Sequence, residues 1–227
     1  FAEKAVYQKK VTDKNESHFE MLKKLELNKL QHEELISYCK SKKIEFLSTA
    51  FDLESIDLLS QLNIKVFKIP SGEITNYPYL RYVAKQNLPI ILSTGMSNLK
   101  EIQNALNVIK KINQDIDISI LHCTSLYPAS MKTLNLSALE TIKKEFNLKI
   151  GYSDHSLGGS AALTAIGLGA RIIEKHFTLN KNFLGPDHKA SLTSEELSSF
   201  IHNIRNIEIA LGSHIKKPNK KELSTLI

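Results

Sequence analysis

Two histidines, 21 residues apart, are the residues of this chain whose type and spacing point most directly to chemistry. His155 lies in Gly-Tyr-Ser-Asp-His-Ser and His176 lies in Glu-Lys-His-Phe-Thr. Each follows a short run typical of a β-strand, and an Ala/Gly-rich helical stretch separates the runs, so both histidines should emerge at one end of a parallel sheet. Two imidazoles there, with Asp154, Glu174 and Asp187 nearby, can hold a divalent metal. The alternative is a pair of unrelated polar residues at strand ends.

A lysine in a second motif, Phe-Lys-Ile-Pro-Ser-Gly-Glu, is predicted to point inward near a strand end. This residue, Lys68, needs an anionic partner because burial of an unpaired ammonium group is costly. Phosphate is one such partner, and the hydroxyl groups of Ser71, Ser93 and Ser153 could complete its site. The alternative is a structural Lys–Glu ion pair, for which Glu73 is the candidate partner.

Weaker signals lie at further strand ends. Short polar side chains occur in Leu-Ser-Thr-Gly-Met, residues 92–96, and in His-Cys-Thr-Ser-Leu-Tyr-Pro, residues 122–128, although serine and threonine are common in turns. Gly185 and Pro186 fix a loop from which Asp187 could reach a metal-bound water or a sugar hydroxyl, unless the segment is a plain surface turn. Cys123 has no evident base beside it and is interpreted as a packing residue.

Six short runs rich in β-branched and apolar residues are predicted to be the strands that position these side chains. The intervals between them show helical periodicity, with apolar stripes that we expect to face the core. A capping box of Thr193 and Glu196 predicts one helix start, and Asn76 followed by Pro78 predicts another. The runs are Ile44–Phe51, Val66–Ser71, Pro89–Thr94, Ile118–Thr124, Lys149–Ser153 and Ile172–Phe177. The stripes comprise Ile102, Ala105, Leu106 and Ile109; Leu136, Leu139, Ile142 and Phe146; and Leu197, Phe200, Ile201 and Ile204.

Alternating β and α units of this length predict a parallel sheet with right-handed crossovers. A doubly wound sheet and a (β/α)8 TIM barrel both satisfy the pattern. Polar, chemically capable residues end nearly every strand, which favours the barrel because all its strand ends face one mouth. A doubly wound sheet would concentrate them at one switch point, and no Rossmann glycine pattern or P-loop is present. Six units are two short of closure, so we expect the first two βα units to be missing from this chain.

Composition narrows the function classes. The chain has 227 residues, 42% of them hydrophobic, enough for one core of substantial size. No stretch approaches about 18 uninterrupted apolar residues and no secretory leader opens the chain, so neither a membrane span nor secretion is indicated. Cys39 and Cys123 form no CxxC pair, which favours a cytoplasmic protein with free thiols. The net charge of +6 suits an anionic substrate, and the scattered lysines without a nucleic-acid motif argue against nucleic-acid binding.

Seven ordered motifs together resemble the sialic acid synthase family, which includes N-acetylneuraminate, legionaminate and pseudaminate synthases and related enzymes of spore-coat polysaccharide biosynthesis. The resemblance covers nearly the whole chain, and seven motifs in order are far more specific than any one of them. The motifs occupy residues 46–52, 67–73, 91–96, 121–128, 151–156, 174–178 and 185–188.

The resemblance implies a (β/α)8 barrel and a metal-dependent transferase that forms a carbon–carbon bond. In such an enzyme, phosphoenolpyruvate attacks the open-chain aldehyde of an N-acetylated amino sugar such as N-acetylmannosamine. Water adds at C2 and phosphate leaves by C–O cleavage, which gives a nine-carbon 2-keto sugar acid. A homodimer is implied as well.

The resemblance also implies roles for individual residues. His155 and His176 match ligands of Mn2+ or Mg2+, which would polarise the aldehyde as a Lewis acid. Glu174 and Asp187 match catalytic positions that contact sugar hydroxyls or metal-bound water, and Tyr127 matches the sugar side. The positions that match the phosphoenolpyruvate site are Lys68, Ser71, Ser93 and Ser153, with Thr49 as a further polar residue on the same side.

Several departures from the family pattern bear on the expected activity. Ser125 stands at or beside a sugar-contact position where family members usually carry Asn. The family's first units bear a glutamate, an asparagine and a phosphate-binding lysine, none of which aligns with residues 1–43. The family usually ends in an antifreeze-like domain that lends an arginine to the partner's sugar site in the dimer. We expect residues 1–215 to be an incomplete barrel and residues 216–227 to begin the linker toward such a domain, so that a longer protein is active and this chain alone is weak or inactive.

Two other hypotheses stay open. One is a related phosphoenolpyruvate–aldose condensing enzyme of the deoxy-sugar-acid class, although the two-histidine motif pair and the Gly-Pro-Asp loop favour the synthase. The other is a non-catalytic barrel that serves as a binding or assembly subunit, against which the joint presence of Lys68, His155, Glu174 and His176 argues. The sequence selects neither the acceptor sugar nor Mn2+ over Mg2+.

Overall fold

The computed structural model describes residues 3–13 and 15–225, apart from the side chains of residues 10 and 11. Within these residues the chain forms five strands and ten α-helices. The strands are β1 Phe67–Ile69, β2 Ile90–Ser93, β3 Ile118–Cys123, β4 Lys149–Asp154 and β5 Ile172–Lys175. The helices are α1 Val6–Val11, α2 His18–Lys23, α3 Lys29–Ser41, α4 Leu53–Gln61, α5 Tyr77–Lys85, α6 Leu99–Ile112, α7 Ala138–Phe146, α8 Ser160–Gly167, α9 Ser194–Leu211 and α10 Lys220–Leu223.

The five strands form one sheet in which every neighbouring pair is parallel. Their spatial order is β1-β2-β3-β4-β5, the same as their order in the chain, and a helix connects each strand to the next. A doubly wound sheet reverses its strand order at a switch point. The order found among the described residues has no such reversal, so the predicted α/β class is confirmed and the winding is that of a barrel.

The sheet curves strongly enough to bring its two edges together on one face. Lys68 lies on the edge strand β1 and Glu174 on the edge strand β5, yet Lys68 Nζ is 3.3 Å from Glu174 Oε2. In a flat sheet, four strand spacings would hold these strands about 19 Å apart. The five strands therefore form a half-barrel, and the side chains of its concave face converge.

The first predicted strand, Ile44–Phe51, is wrong. Within the described residues this run makes one isolated bridge, between Thr49 and Lys68, and no ladder. The reason is that β1 spans only three residues and offers this segment little backbone to pair with, so Ile44 and Leu47 are exposed instead of packed. The other five runs are strands, with bounds within three residues of those predicted.

The core lies between the sheet and the helices that follow its strands. All four apolar residues of the stripe on α6 are buried. In the next stripe, Leu139 and Ile142 of α7 are buried, whereas Phe146 of α7 and Leu136, just before this helix, pack against the core. On α9, Phe200 is buried but Ile201 is 45% exposed, so the prediction that Ile201 faces the core is wrong. Both predicted helix starts are confirmed, since Thr193 and Glu196 form a capping box and Asn76 caps α5.

The last described residues, from 211 to 225, are all exposed and include the short helix α10. The predicted boundary at residue 215 stays a prediction. Among the described residues, no helix has the length and apolar character that crossing a bilayer requires.

Candidate functional site

The concave face of the half-barrel collects the side chains that the sequence analysis had selected from separate strands. Successive residues of a strand point to opposite faces, and in-register neighbours point to the same face. Cys123, Ser153 and Glu174 form one such row across β3, β4 and β5. Lys68 and Ser93 belong to the same face, as the register of β1 and β2 shows. The parallel strands thus bring these groups to one rim.

Lys68 is buried, and its ammonium group is the positive charge of this rim. Its partner is Glu174, whose second oxygen, Oε1, accepts a hydrogen bond of 2.6 Å from Ser153 Oγ. The expected alternative partner, Glu73, instead accepts a hydrogen bond from Asn76 at 2.7 Å. The Lys–Glu pair therefore exists, but it joins two predicted site residues across the half-barrel.

Serine hydroxyls and one thiol surround Gly95 beside this ion pair. The Gly95 amide donates to Ser71 Oγ at 2.9 Å. A Cβ atom placed on Gly95 would lie 2.2 Å from Ser125 Oγ, 2.9 Å from Ser71 Oγ and 3.3 Å from Cys123 Sγ, so the position has no room for a side chain. These contacts place Ser71 and Ser125 together, next to a thiol that the sequence analysis had assigned to packing.

Ser93 contributes a hydroxyl that nothing in the described residues uses. The residue is 3% exposed, and Ser93 Oγ is buried without a hydrogen-bond partner. Buried polar groups are nearly always hydrogen-bonded, so this hydroxyl has a hydrogen bond to offer to a ligand or a water on the concave face.

The two histidines lie edge to face, with ring centroids 5.4 Å apart and an interplanar angle of 90°. His155 Nδ1 is 2.8 Å from the carbonyl oxygen of Thr124. Because a carbonyl only accepts, Nδ1 carries the proton in this hydrogen bond, and Nε2 of the neutral ring keeps a free lone pair. Burial lowers the pKa of His155, which favours this neutral, ligand-competent form.

Asp187 lies beside the second histidine. Its Oδ2 is 3.7 Å from His176 Nδ1, a distance too long for a hydrogen bond. Its Oδ1 is buried without a hydrogen-bond partner among the described residues. The orphaned carboxylate oxygen and the free nitrogen of His155 fit a divalent cation with its bound waters. No cluster of three or more His, Cys, Asp or Glu side chains that could hold a metal ion occurs in the described part of the chain.

Asp154, which was expected near the histidines, points away from them, and so does the strand-end residue His122. Asp154 is fully buried on the opposite face of β4, where its Oδ2 is 2.9 Å from Lys175 Nζ. His122 also faces that side, with Nε2 2.8 Å from the Leu134 carbonyl oxygen and its ring stacked on Tyr152. The period of two along a strand explains both, because the neighbours of inward-facing residues face outward.

An aromatic wall adjoins the histidines. The Tyr127 ring lies 4.1 Å from the His155 ring and 5.8 Å from the His176 ring, centroid to centroid. Tyr7, on α1, stacks on Tyr127 at 5.4 Å. Burial and the negative charge of Asp187 raise the pKa of Tyr7. Sequence reasoning missed Tyr7, because no motif marks it and only the tertiary fold brings α1 to the rim.

Cys123 is the second residue that sequence reasoning left out of the site. Its Sγ is 3.8 Å from His155 Nδ1, so an imidazole does lie beside this thiol, contrary to the expectation, although that nitrogen donates to the Thr124 carbonyl oxygen. Burial raises the pKa of this thiol, although nearby serine hydroxyls oppose the shift. A protonated thiol is a poor nucleophile, so the interpretation that Cys123 is not a nucleophile agrees with its surroundings.

Thr49 lies at the margin of the site. It bridges to Lys68 through the backbone and also lines a cavity of about 550 Å³ beside α2, α3 and α4. Thr49 is the one predicted site residue among those that line this cavity in the described part of the chain. Neither His155 nor His176 is among the residues that line this cavity.

Comparison with known proteins identifies the family of this chain. A sequence model of the NeuB family matches residues 1–216. The N,N'-diacetyllegionaminic acid synthase of Campylobacter jejuni is 54% identical over 222 residues, which cover 97% of this chain and 66% of the relative. The synthase of the same name from Legionella pneumophila is 48% identical over 224 residues, or 97% of this chain and 63% of the relative. The chain spans about two thirds of the length of these curated relatives.

A solved structure supports the same assignment. The crystal structure of N-acetylneuraminic acid (sialic acid) synthetase from Leptospira borgpetersenii, in complex with citrate, matches with a TM-score of 0.86 at 33% identity. The match covers 91% of this chain and 72% of that one. Since the family model spans most of the sequence and relatives share about half of its residues, the chain belongs to the NeuB family, the family of sialic acid synthases.

Proposed function

We propose that this chain carries the phosphoenolpyruvate- and metal-binding part of a nonulosonic acid synthase. The reaction joins C3 of phosphoenolpyruvate to the aldehyde carbon of an N-acetylated amino sugar. Water adds at C2, phosphate leaves with the bridging oxygen, and a nine-carbon 2-keto acid forms. The observation that carries this proposal is the convergence of Lys68, three serine hydroxyls and two imidazoles on one rim.

The anion side of the site would bind phosphoenolpyruvate. Lys68 supplies a fixed positive charge, and Ser71, Ser93 and Ser153 supply hydroxyl donors. Without substrate, Glu174 satisfies both Lys68 and Ser153. A phosphate or carboxylate would compete with Glu174 for these donors, and the orphaned Ser93 hydroxyl would gain a partner.

The acceptor side of the site would lie at the histidines. His155, held by the Thr124 carbonyl, and His176 would bind Mn2+ or Mg2+. The cation, when bound, would supply Lewis-acid polarisation of the aldehyde oxygen. Tyr127 would orient the sugar chain, and the orphaned oxygen of Asp187 would accept a proton from a sugar hydroxyl or a bound water. Ser125 would contribute a further hydroxyl toward the sugar.

The acceptor that the relatives favour carries two acetamido groups. Both curated relatives described above are named for N,N'-diacetyllegionaminic acid, a product with two N-acetyl groups. Phosphoenolpyruvate contributes three carbons and no nitrogen, so both acetamido groups must come from the sugar. We therefore propose a diacetamido hexose as the acceptor, in preference to N-acetylmannosamine.

The test is phosphate release from phosphoenolpyruvate with Mn2+ and each candidate sugar, with and without EDTA. We expect metal-dependent release with one sugar, and loss of release in His155→Ala and His176→Ala. With oxygen isotope in the bridging position of phosphoenolpyruvate, C–O cleavage puts the label in the released phosphate. Label retained in the keto acid, or no release with any sugar and metal, would contradict the proposal.

The test should compare this chain with a protein of the relatives' full length, because this chain matches only about two thirds of the length of those relatives. Activity confined to the longer protein would agree with the expectation that this chain alone is weak. Closure of the full barrel, homodimer formation and a cytoplasmic location stay predictions as well. Size-exclusion chromatography with light scattering would decide the oligomeric state.

A further inference from the structure

A buried ion pair on the outer face of the sheet lies directly behind the two histidines. Asp154 Oδ2 is 2.9 Å from Lys175 Nζ, and the two side chains are 0% and 5% exposed. Asp154 precedes His155 in the chain, and Lys175 precedes His176. The rim chemistry described above uses neither charge.

The ion pair joins the last two paired residues of the β4–β5 ladder. Asp154 and Lys175 are register partners, and no later pair of residues continues this ladder. The next residues along each strand are the histidines, which point to the concave face. The ion pair therefore holds the two strands at the point from which both imidazoles project.

The same two charges also hold the chain on the far side of His155. Asp154 Oδ1 accepts hydrogen bonds from the Ser156 amide at 2.8 Å and from Ser156 Oγ at 2.6 Å. Lys175 Nζ donates to the Ser156 carbonyl oxygen. His155 therefore lies between two residues, Asp154 and Ser156, that are held in place by hydrogen bonds. Tyr152 OH, 3.4 Å from Asp154 Oδ1, is a further donor to that carboxylate.

We propose that the Asp154–Lys175 ion pair is a positioning device, which sets the separation and direction of the two imidazoles. The inference rests on the proposed function, in which these imidazoles bind the metal. Residues one step removed from a ligand commonly change metal affinity by roughly 10–100-fold when mutated. A buried pair that served stability alone would be replaceable by apolar residues without a change in metal binding.

The experiment measures Mn2+ affinity by the electron paramagnetic resonance signal of free Mn2+. We expect Lys175→Met and Asp154→Asn to weaken binding at least tenfold and Lys175→Arg to recover most of it. The matched control is Lys149→Met, because Lys149 on β4 also pairs across strands, with Asp117 at 2.8 Å, but at the exposed opposite end of the sheet. The control should bind Mn2+ as wild type does.

Single variants that fail to fold, judged by circular dichroism, are replaced by the double variant Asp154→Asn/Lys175→Met, which leaves no unpaired buried charge. A folded single or double variant with an Mn2+ affinity within twofold of wild type would overturn the proposal. His155→Ala reports separately on the proposed metal site.

If wild type binds no Mn2+, the proposed metal site fails, and nitrogen NMR of the histidine side chains in the metal-free protein decides the positioning role. Signals of His155 and His176 that move in Lys175→Met and stay in place in Lys149→Met support it. Unmoved signals in both variants refute it.

Discussion

Lys68 and Glu174 stand on opposite edge strands of the sheet, yet their charged groups meet at 3.3 Å across the concave face. The contact depends on the curvature of all five strands. Glu174 is 41% exposed, whereas Lys68 is 7% exposed, so the carboxylate can move into water while the ammonium group cannot. In the proposed site, an anionic substrate would therefore displace Glu174 and leave Lys68 in place.

Lys68→Met should raise the KM for phosphoenolpyruvate about 30-fold or more, because truncation of one partner of a buried charge pair costs about 2–5 kcal/mol. The free energy of unfolding should change by about 1 kcal/mol or less, since the partly exposed Glu174 can be hydrated. Steady-state kinetics and urea unfolding measure the two effects. Lys65→Met, at an exposed lysine just before β1, is the control. An unchanged KM in Lys68→Met would remove Lys68 from the substrate site.

Gly95→Ala should raise the KM for phosphoenolpyruvate about tenfold while the protein stays folded. The new methyl group would lie 2.2 Å from Ser125 Oγ and 2.9 Å from Ser71 Oγ, so both hydroxyls must move. Overpacking of this kind usually costs about 1–3 kcal/mol. Gly72→Ala, in the neighbouring motif, has no atom within 4 Å of the new Cβ and should behave as wild type. Equal kinetics for the two variants would show that the hydroxyl cluster is not used.

Tyr7→Ala should raise the KM for the acceptor sugar about twofold to tenfold and leave the KM for phosphoenolpyruvate unchanged. The reason is that Tyr7 stacks on Tyr127 at 5.4 Å, and an aromatic pair is worth about 0.5–1.5 kcal/mol. Tyr7→Phe keeps the stack and should stay close to wild type. Tyr38→Ala, at an exposed tyrosine of α3, controls for general effects. A rise in both KM values would indicate a structural defect instead.

The stability of the metal-free protein should fall as the pH drops below about 6.5, in part because of His155. Burial holds the pKa of folded His155 below its ordinary value of 6.5, so between these two values the unfolded chain binds more protons than the folded chain. Unfolding free energies of wild type and His155→Gln, in EDTA from pH 7.5 to 5.5, measure this contribution. We expect the free energy of unfolding to fall less with decreasing pH in His155→Gln than in wild type. The difference should be up to about 1.4 kcal/mol for each unit by which folding lowers the pKa of His155. Equal slopes in wild type and His155→Gln would contradict the prediction.

Local features of the fold could be predicted from the sequence because they depend on neighbours along the chain. The capping box of Thr193 and Glu196 and the Asn76 cap rest on contacts three residues apart, and both form as predicted. Strand runs and the alternation of β and α units likewise follow from local periodicity. The strand predicted at Ile44–Phe51 does not form, because a strand needs a partner and β1 pairs with this segment at one residue only.

The sequence by itself determined which residues could do chemistry and that they lie at the ends of parallel strands. Only the tertiary structure decided how they combine, because curvature of the sheet controls contacts between residues far apart in the chain. It paired Lys68 with Glu174 instead of Glu73, and it turned Asp154 toward Lys175. It also brought Tyr7 from α1 to Tyr127, a contact over 120 positions that no local pattern encodes.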